Sequence, residues 1–326
     1  MENGINFKKV LIIGAVFLLL FIGILCGLHF MESTFHNTEV PTEPEETKTF
    51  EKDEVSYFPR QDITTVLFIG VDEDGPVEEK SENSGSAYSD VVILLIFDET
   101  NKEINAITLN RDSMVDMTAL DENGKRNRYF YGQLSFAHSL GNGLEESCEN
   151  TVWAVSNLLS DAWIDYYVSM NMGAISIVND VVGGVTVNVT DDFSEVGSSI
   201  QKGEYTLFGD EAETFVRSRM NLGDGLNISR MERQKEYIKG FTEALRTKLE
   251  GGDIFAMEVY EAVSDYVITD CSADSLASML ERYKDYELND IVSPRGENVL
   301  GEKFYEFYID EEDLESLVLK YLYAPK

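Results

Sequence analysis

The chain has 326 residues and a formal net charge of −34, with 60 acidic side chains against 26 basic ones. This acidity argues against nucleic acid or an anionic membrane surface as the main partner, because both repel a polyanion. The 3 cysteines are too few for a disulfide framework. Cys26 lies in an apolar N-terminal segment, which leaves Cys148 and Cys271, either as a disulfide pair or as two small buried thiols.

The first predicted element is a transmembrane helix at residues 10–31. Lys8 and Lys9 precede an uncharged apolar run at residues 10–28, which as a helix matches the roughly 30 Å thickness of a hydrocarbon core. A cleavable signal peptide has a shorter apolar region, about 7 to 15 residues. The positive-inside rule counts the two lysines and assigns residues 1–9 to the cytoplasm. We therefore expect a single-pass protein of the cell membrane whose remaining mass is extracellular.

Three further segments are predicted after the anchor. Residues 32–62 are rich in Glu, Thr and Pro and lack apolar periodicity, which is typical of an acidic flexible stalk. Residues 63–250 are predicted to form the catalytic domain, and residues 251–326 an acidic, tyrosine-rich C-terminal extension.

Short apolar runs predict three buried strands at residues 64–71, 91–97 and 104–110. The connection between the second and third runs is too short for a parallel return, which needs a dozen or more residues. These two strands are therefore predicted to form an antiparallel hairpin.

This hairpin predicts which polar residues meet. If Phe97 pairs near Ile104, Asp90 lies opposite Arg111. Asp72 follows the first strand, and it reaches the same edge if that strand runs parallel to the third. Ligands of open α/β sheets bind in a crevice of this kind, outside the carboxyl ends of strands. The alternative is that Asp90 and Arg111 form a purely structural ion pair at a strand end.

Farther along the chain, helical and strand patterns alternate, which indicates a sheet with helices packed over its faces. The predicted helices are residues 145–159, 173–182, 210–216, 229–249, 272–283 and 311–323, and the predicted strands are residues 166–171 and 185–189. The fold class is therefore α/β, a mixed central sheet with helices on both faces, preceded by one N-terminal transmembrane helix.

Arginines concentrate in the middle of this acidic chain. Arg217 and Arg219 are two apart, so in extended backbone they share one face. Arg230, Arg233 and Gln234 form one polar stripe at the start of a long predicted helix, whose N-terminus favours an anion. Arginine also holds phosphate by paired hydrogen bonds.

Carboxylates beside such an arginine cluster describe a site for a divalent metal and a polyphosphate, because Mg²⁺ is usually bound through one or two carboxylates together with the phosphates. The candidate carboxylates are Asp72 and Asp90. No G-x-S-x-G motif, Cys/His pair or Walker-type loop is present. His138 is predicted to be a satisfied histidine of the domain and not a base.

Taken in order, short motifs in the chain resemble those of the LytR–CpsA–Psr family. The resemblance covers roughly residues 64–245. The blocks that carry it are LFIGVD at 67–72, SD at 89–90, LNRD at 109–112, QLSFAHSLG at 133–141, IDYYV at 164–168, VGGVTVNV at 182–189, KG at 202–203 with LFG at 207–209, FVRSR at 215–219 and RMERQ at 230–234.

The resemblance implies a membrane-anchored, extracytoplasmic phosphotransferase of cell-wall assembly. It would move a glycopolymer, such as a teichoic acid or capsule, from a polyprenyl-pyrophosphate carrier to peptidoglycan, with Mg²⁺ as cofactor held by Asp72 and Asp90. Arg111 would act in catalysis, with Asp90 or Asp112 as the candidate base. The residues implied for pyrophosphate binding are Arg111, Arg217, Arg219, Arg230, Arg233 and Gln234. Two alternatives stay open, a polyprenyl-pyrophosphate hydrolase and a non-catalytic sensor or attenuator that binds the lipid carrier.

Some positions depart from the family's pattern and weaken its cationic contacts. They are Tyr88 in place of Arg, Gln133 and Ser135 in place of Lys and Asn, and Asn227 in place of Asp. Arg126 or Arg128 is a candidate to replace the missing cations.

Overall fold

The computed structural model describes residues 49–52, 55–80, 87–121, 125–218, 222, 227–249, 262–272, 275, 278–279, 282–283 and 286–325. The predicted cytoplasmic segment and transmembrane anchor therefore lie outside the described residues. Within the part of the chain that the structure describes, no helix combines the length and apolar character needed to cross a membrane.

The described chain contains strands, α-helices and two short 3₁₀-helices. The strands are Phe50–Lys52 (β1), Val55–Pro59 (β2), Ile63–Val71 (β3), Ser89–Asp98 (β4), Glu103–Leu109 (β5), Met114–Leu120 (β6), Arg126–Gln133 (β7), Tyr166–Asn171 (β8), Val185–Val189 (β9), Gly203–Leu207 (β10), Val267–Thr269 (β11), Glu287–Val292 (β12), Gly296–Leu300 (β13), Tyr305–Ile309 (β14) and Tyr323–Pro325 (β15). The α-helices are Phe136–Ser139 (α1), Glu145–Leu158 (α2), Ala174–Val181 (α3), Asp210–Arg217 (α4), Asn227–Leu249 (α5) and Glu311–Tyr321 (α6).

A six-stranded mixed sheet in the order β11–β8–β3–β4–β5–β12 forms the centre of the fold. Strand β4 is antiparallel to both of its neighbours, while β8 runs parallel to β3 and β12 parallel to β5. Phe97 pairs with Ile104 and Val92 with Leu109, so the predicted hairpin register is confirmed. Because β3 and β5 both oppose β4, they run in the same direction, as the sequence required for Asp72 to reach the edge near Arg111.

Strand β4 supplies hydrophobic core on both faces of the sheet, because its side chains alternate. One set packs with helices α3 and α5, and the other with α2 and α6. The first set is Ile93, Leu95 and Phe97, in a cluster with Val178, Phe241 and Leu245; the second is Val92, Leu94 and Ile96, in a cluster with Val155, Val318 and Tyr321. The near-continuous apolar run that predicted a strand covered on both faces is therefore explained.

The predicted segment boundaries differ from the observed fold at both ends. Part of the predicted stalk is structured, since β1 pairs with β2 and β2 pairs with β15. The extension predicted to begin at residue 251 contributes β11 and β12 to the central sheet and α6 to one of its two cores. Its acidic composition concealed this role, because β12 joins the sheet by parallel pairing with β5, far away in the sequence.

Cys148 and Cys271 are both buried and do not form a disulfide with each other. Burial is the main cause that raises the pKa of Cys148 to about 12. The thiol is therefore protonated at neutral pH and behaves as a small apolar side chain.

Candidate active site

The candidate site lies at one edge of the central sheet, where β3 and β5 end and β4 begins. We call this edge the rim. A β-bulge re-aims β4 there: Gly70 pairs with Val91 and Val71 with Ser89, which leaves Asp90 as the extra residue. Bulges are frequent beside active sites because they redirect a side chain.

Gly70 is required by the close approach of the strands beside this bulge. A Cβ atom at residue 70 would lie 2.9 Å from Cβ of Val91 and 3.0 Å from Cε of Met172. Cβ of Val91 can yield only if the backbone of β4 moves, so the glycine allows the close pairing beside which Asp90 leaves the ladder.

Asp90 is held between two arginines from different elements. Its Oδ1 accepts a hydrogen bond from Nη1 of Arg111, at the end of β5, and its Oδ2 accepts one from Nη1 of Arg230 at 2.6 Å. Arg230 lies on the first turn of α5 and also donates to Oδ1 of Asn227. Asn227 in turn donates to Oδ1 of Asn110 at 2.6 Å. We call these five residues the Asp90 cluster.

The Asp90 cluster is almost completely buried but has spare donors. The side chains of Asp90 and Arg230 are 6% and 4% exposed. Among the described residues, neither Nδ2 of Asn110 nor Nε of Arg111 finds a hydrogen-bond acceptor, although both atoms are buried. An unused buried donor is destabilising unless a ligand or water satisfies it. These two N–H groups therefore suit a bound anion.

Residues behind Arg111 fix its orientation. Nη2 of Arg111 donates to Oγ of Ser135 at 3.2 Å, and its Nε lies 3.7 Å from Oδ1 of Asp112. Asp112 is 4% exposed and accepts a hydrogen bond from Nε2 of Gln133 at 3.1 Å. The two residues that depart from the family's Lys and Asn thus support Arg111, directly or through Asp112.

A second group at the rim surrounds Arg217, the last residue of α4. Its guanidinium binds Asp72 and Glu213 and reaches Oδ1 of Asp74 at 2.6 Å. We call these four residues the Arg217 cluster. Burial lowers the pKa of Arg217, but the hydrogen bond to Glu213 and the charge of Asp72 more than offset this, so its pKa is raised. The cluster contains three carboxylates and one guanidinium, which leaves an excess of negative charge.

Arg233 and Gln234, both implied as pyrophosphate-binding residues, donate hydrogen bonds to the end of α4. Nε of Arg233 donates to the carbonyl of Phe215 at 3.0 Å, and Nε2 of Gln234 donates to that of Val216 at 3.2 Å. Arg233 also forms an ion pair with Asp191 at 2.7 Å. The last carbonyls of a helix lack partners within the helix, and these donors supply them. Both residues therefore position α4, and with it Arg217.

The remaining predicted cations divide into three cases. Arg219 lies outside the described residues. Arg126 donates to Oδ1 of Asn150 at 2.8 Å and to the carbonyl of Glu149, both on α2, so it does not replace a cation at the rim. Arg128 pairs across the β6–β7 hairpin with Ala119, on the same stretch of strand as Arg126.

Tyr88 stands where the resemblance predicts an arginine, and its ring contacts the Asp90 cluster. The guanidinium carbon of Arg111 lies 6.0 Å from the centre of the Tyr88 ring, at the limit of a cation–π contact. The ring also packs against Phe136, with 5.2 Å between centres. A cation is therefore replaced by a ring that attracts one.

His138 is a buried structural histidine, as predicted. It is 2% exposed, and its Nδ1 lies 3.0 Å from the carbonyl oxygen of Ala87. Burial lowers the pKa of His138 to about 4, against a smaller opposing effect of that hydrogen bond. The neutral ring ties helix α1 to the segment that leads into Tyr88 and Asp90.

A shallow, mainly apolar recess with a volume of about 10 Å³ lies between the sheet and α5, beside the rim. Its lining combines the residues that follow Asp90 on β4 with the end of β5 and one face of α5. These residues are Val91, Val92, Ile93, Thr108, Leu109, Met231, Gln234, Lys235 and Ile238.

The oxygen ligands at the rim match the needs of a hard divalent cation only in part. Among the described residues, no three acidic, histidine or cysteine side chains group into a metal site. Asp72 offers a carboxylate that is 35% exposed, and its backbone N–H donates to the carbonyl of Tyr88 at 2.9 Å, two residues before Asp90. Mg²⁺ characteristically takes one or two carboxylates and completes its shell with phosphates and water. The residues fit an ion that binds together with a phosphorylated ligand.

Known proteins are similar to this chain in sequence and in fold. A polyisoprenyl-teichoic acid–peptidoglycan teichoic acid transferase TagU from Enterococcus faecalis is 28% identical over 223 residues, 68% of this chain and 65% of that protein. A TagU from Bacillus licheniformis is 26% identical over 275 residues, 83% of this chain and 80% of that protein. The solved structure of protein gbs0355 from Streptococcus agalactiae superposes with a TM-score of 0.63 at 23% identity, covering 79% of this chain and 87% of that one.

The fold and the rim define an α/β protein with an arginine-rich site outside the carboxyl ends of its central strands. The model of the LytR_cpsA_psr family matches residues 28–318, which is most of the chain. The chain belongs to the LytR_cpsA_psr family.

Proposed function

We propose that this chain is a membrane-anchored transferase that moves a glycopolymer from a polyprenyl-pyrophosphate carrier to peptidoglycan outside the cell. Family membership and two relatives named as teichoic acid transferases support the reaction class. The apolar run after Lys8 and Lys9 supports the anchor. Anchoring would keep the rim close to a carrier that is itself confined to the membrane.

The observation that carries this proposal is the Asp90 cluster. Two guanidinium groups from distant parts of the chain converge on one buried carboxylate, and two further N–H donors there remain unused among the described residues. Arginine matches phosphate oxygens with two parallel hydrogen bonds. A pyrophosphate would satisfy the spare donors and share the guanidinium groups with Asp90.

The reaction follows from this placement. A hydroxyl oxygen of the acceptor glycan forms a bond to the phosphorus that bears the glycopolymer, and the bond from this phosphorus to the bridging oxygen breaks. Polyprenyl monophosphate leaves with the bonding electrons, and the hydroxyl proton passes to a carboxylate or to water. Arg111 and Arg230 would stabilise the charge that develops on the phosphate oxygens, which is the main requirement of phosphoryl transfer.

Both oxygens of Asp90 accept hydrogen bonds from arginine, so its first role is to hold Arg111 and Arg230 in position. Asp112 is shielded behind Arg111 and supports the same guanidinium. Asp72, which is more exposed, would bind Mg²⁺ together with Asp90 once phosphate is present. The metal would supply additional positive charge on the pyrophosphate.

The apolar residues that line the shallow recess beside the rim would contact the first part of the carrier's tail. Val91, Ile93 and Leu109 contribute apolar atoms from the sheet, and Met231 and Ile238 from α5. An isoprenoid chain leaves water readily for such a surface. The pyrophosphate at one end of the carrier and the apolar tail at the other would then both be bound at adjoining places.

The test is transfer by the full chain in detergent, with a polyprenyl-pyrophosphate glycan donor and a peptidoglycan acceptor. We expect Arg111→Ala to lower kcat/KM by about 10²- to 10³-fold, as for the loss of one preorganised donor to a developing oxyanion. Arg126→Ala is the matched control, because Arg126 is bound to α2. It should retain transfer within a few-fold.

Three other outcomes would contradict the proposal. Transfer that survives Arg111→Ala would remove the Asp90 cluster from the reaction. Release of free phosphorylated glycan without any attachment to the acceptor would indicate a hydrolase. Tight binding of the carrier without turnover would indicate a sensor.

A further inference from the structure

A row of exposed tyrosines extends from the rim along the β6–β7 hairpin. Tyr129 is 73% exposed and Tyr131 is 62% exposed. They pair across the hairpin with Thr118 and Asp116, and because they are two apart on one strand, both project from the same face, about 7 Å apart. Gln133 is the next residue on that face.

On the opposite face, the residues of β6 are accounted for by packing. Val115 and Met117 are buried in the core cluster shared with α2, and Ala119 is 1% exposed. The rings of Tyr129 and Tyr131 are therefore not the part of the hairpin that packs into the core. Large exposed aromatic rings that are unused in the fold commonly mark a binding surface.

The row is continuous with the candidate active site. Gln133, at its inner end, donates to Oδ1 of Asp112 at 3.1 Å, and Asp112 lies beside Nε of Arg111. Strand β14 borders the row, since the backbone N–H of Phe307 donates to the carbonyl of Asp112 at 2.8 Å. The tyrosines are therefore separated from Arg111 by two contacting side chains, Gln133 and Asp112, which are 7% and 4% exposed.

The charge around the row indicates which ligand it suits. The six residues of this face, Met114, Asp116, Thr118, Tyr129, Tyr131 and Gln133, include one acidic and no basic side chain. On the bordering strand, Tyr308 is exposed and donates to the carboxylate of Glu306 at 2.7 Å. Carboxylates repel a phosphate-rich polymer and an anionic lipid surface. They accept hydrogen bonds from neutral hydroxyl groups, and pyranose rings present C–H faces that stack on aromatic rings.

We propose that Tyr129 and Tyr131 form a platform that binds the acceptor as a neutral glycan strand and guides its hydroxyl group toward Arg111. We call this row the tyrosine platform. The inference rests on the proposed function, because it assigns the acceptor side of that reaction. The donor would be bound separately, by the Asp90 cluster and the recess.

The platform is tested by two measurements on the full chain in neutral phosphatidylcholine nanodiscs. The first is binding of chitotetraose, a neutral N-acetylglucosamine oligosaccharide, followed by saturation-transfer NMR. The second is the KM for peptidoglycan glycan strands in the transfer reaction, with the KM for the donor measured in parallel. We expect the double variant Tyr129→Ala with Tyr131→Ala to weaken oligosaccharide binding and to raise the acceptor KM by about tenfold each, with the donor KM unchanged.

Two sets of controls separate stacking from other roles. Tyr129→Phe with Tyr131→Phe keeps both rings and should retain binding within about twofold. Trp163→Ala removes an equally exposed aromatic side chain, 73% accessible, at the opposite end of β3, where the carbonyl of Trp163 accepts a hydrogen bond from Thr65. It should change neither measurement.

Several other outcomes would overturn the platform. Unchanged chitotetraose binding in the double alanine variant would exclude these rings. A raised donor KM in this variant would show that the rings bind the donor polymer. A lost affinity for phosphatidylglycerol vesicles would show that they bind a membrane, and a changed oligomeric state that they bind a second copy of the chain. If the wild-type chain binds chitotetraose through the tyrosines but transfers nothing, the proposed function fails and the glycan site stands.

Discussion

The two clusters at the rim use the same residue types to opposite effect. The Asp90 cluster places two guanidinium groups around one carboxylate, and its ion-paired side chains are 4% to 15% exposed. The Arg217 cluster places three carboxylates around one guanidinium, with side chains 21% to 76% exposed. The first has an excess of positive charge shielded from water, and the second an excess of negative charge open to it.

Because the two clusters differ in burial, substitutions in them should differ in their effect on folding stability. Removing one partner from a buried ion pair leaves an uncompensated charge, whereas exposed pairs are screened by water and contribute little. The Asp90 cluster should therefore affect folding as well as transfer. The Arg217 cluster should affect the response to metal and leave folding almost unchanged.

The largest effect is expected from Arg230→Met. The substitution keeps the apolar volume but leaves Asp90 with only Arg111, and we expect it to lower the free energy of unfolding by about 3 kcal/mol. Urea unfolding of the full chain measures this. Arg217→Met is the matched comparison and should change stability by no more than about 1 kcal/mol. Equal losses in both variants would show that the clusters do not differ in the way their burial indicates.

The second largest expected effect is a loss of folding stability at acid pH, caused by His138. His138 has a pKa of about 4 in the folded chain against an ordinary value of 6.5, so the unfolded chain binds the proton more tightly. The stabilisation is complete above about pH 6.5 and falls as the pH drops toward 4. We expect His138 to account for a loss of about 2 kcal/mol between pH 7 and pH 5.

The variant that checks this is His138→Gln, which can still donate to the carbonyl of Ala87. Urea unfolding at the two pH values should show a shallower decline in the variant than in the wild type. Parallel declines would mean that other groups, such as the carboxylates, cause the whole acid sensitivity.

A smaller effect is expected when the accessible carboxylate of the Arg217 cluster is neutralised. We expect Asp72→Asn to raise the Mg²⁺ concentration that gives half-maximal transfer by at least about tenfold, because a ligand charge is lost. Asp74→Asn is the control, since Asp74 is the most exposed member of the cluster at 76%, and should change this concentration less than Asp72→Asn. If Asp72→Asn leaves this Mg²⁺ concentration unchanged, Asp72 does not bind the cation.

The smallest effect concerns Tyr88. Tyr88→Ala removes the cation–π contact with Arg111, which is worth about 0.5–1 kcal/mol at an exposed site, and should lower transfer by about two- to fivefold. Tyr88→Phe keeps the ring and should be nearly silent. A large loss in the phenylalanine variant would indicate that the hydroxyl group, and not the ring, acts at the rim.

Local rules predicted the parts of the site that depend on short-range pairing. The short loop after Asp98 fixed the hairpin register, and the register brought Asp90 to Arg111. Arg230 was identified because it opens an amphipathic helix. Asn110 and Asn227 were missed as members of the cluster, although Asn110 directly follows an apolar strand beside Arg111 and this position was a usable signal.

Contacts between elements that are distant in the sequence could not be predicted from local sequence patterns. Arg233 and Gln234 share a helical face with Arg230, and spacing alone assigned all three to the anion. The structure uses two of them for the carbonyls of α4, a demand that exists only after α4 and α5 pack together. Strand β12 was missed for a similar reason, because its partner β5 is far away in the sequence and its own residues are only partly apolar.

The pairing of β15 with β2 has a consequence for biogenesis. These strands come from opposite ends of the described chain, so β2 meets this partner only after residues 323–325 have been synthesised. Until then an edge capable of joining other chains remains open, which is a recognised route to aggregation. Any factor that shields nascent strand edges would therefore be needed until residues 323–325 have emerged.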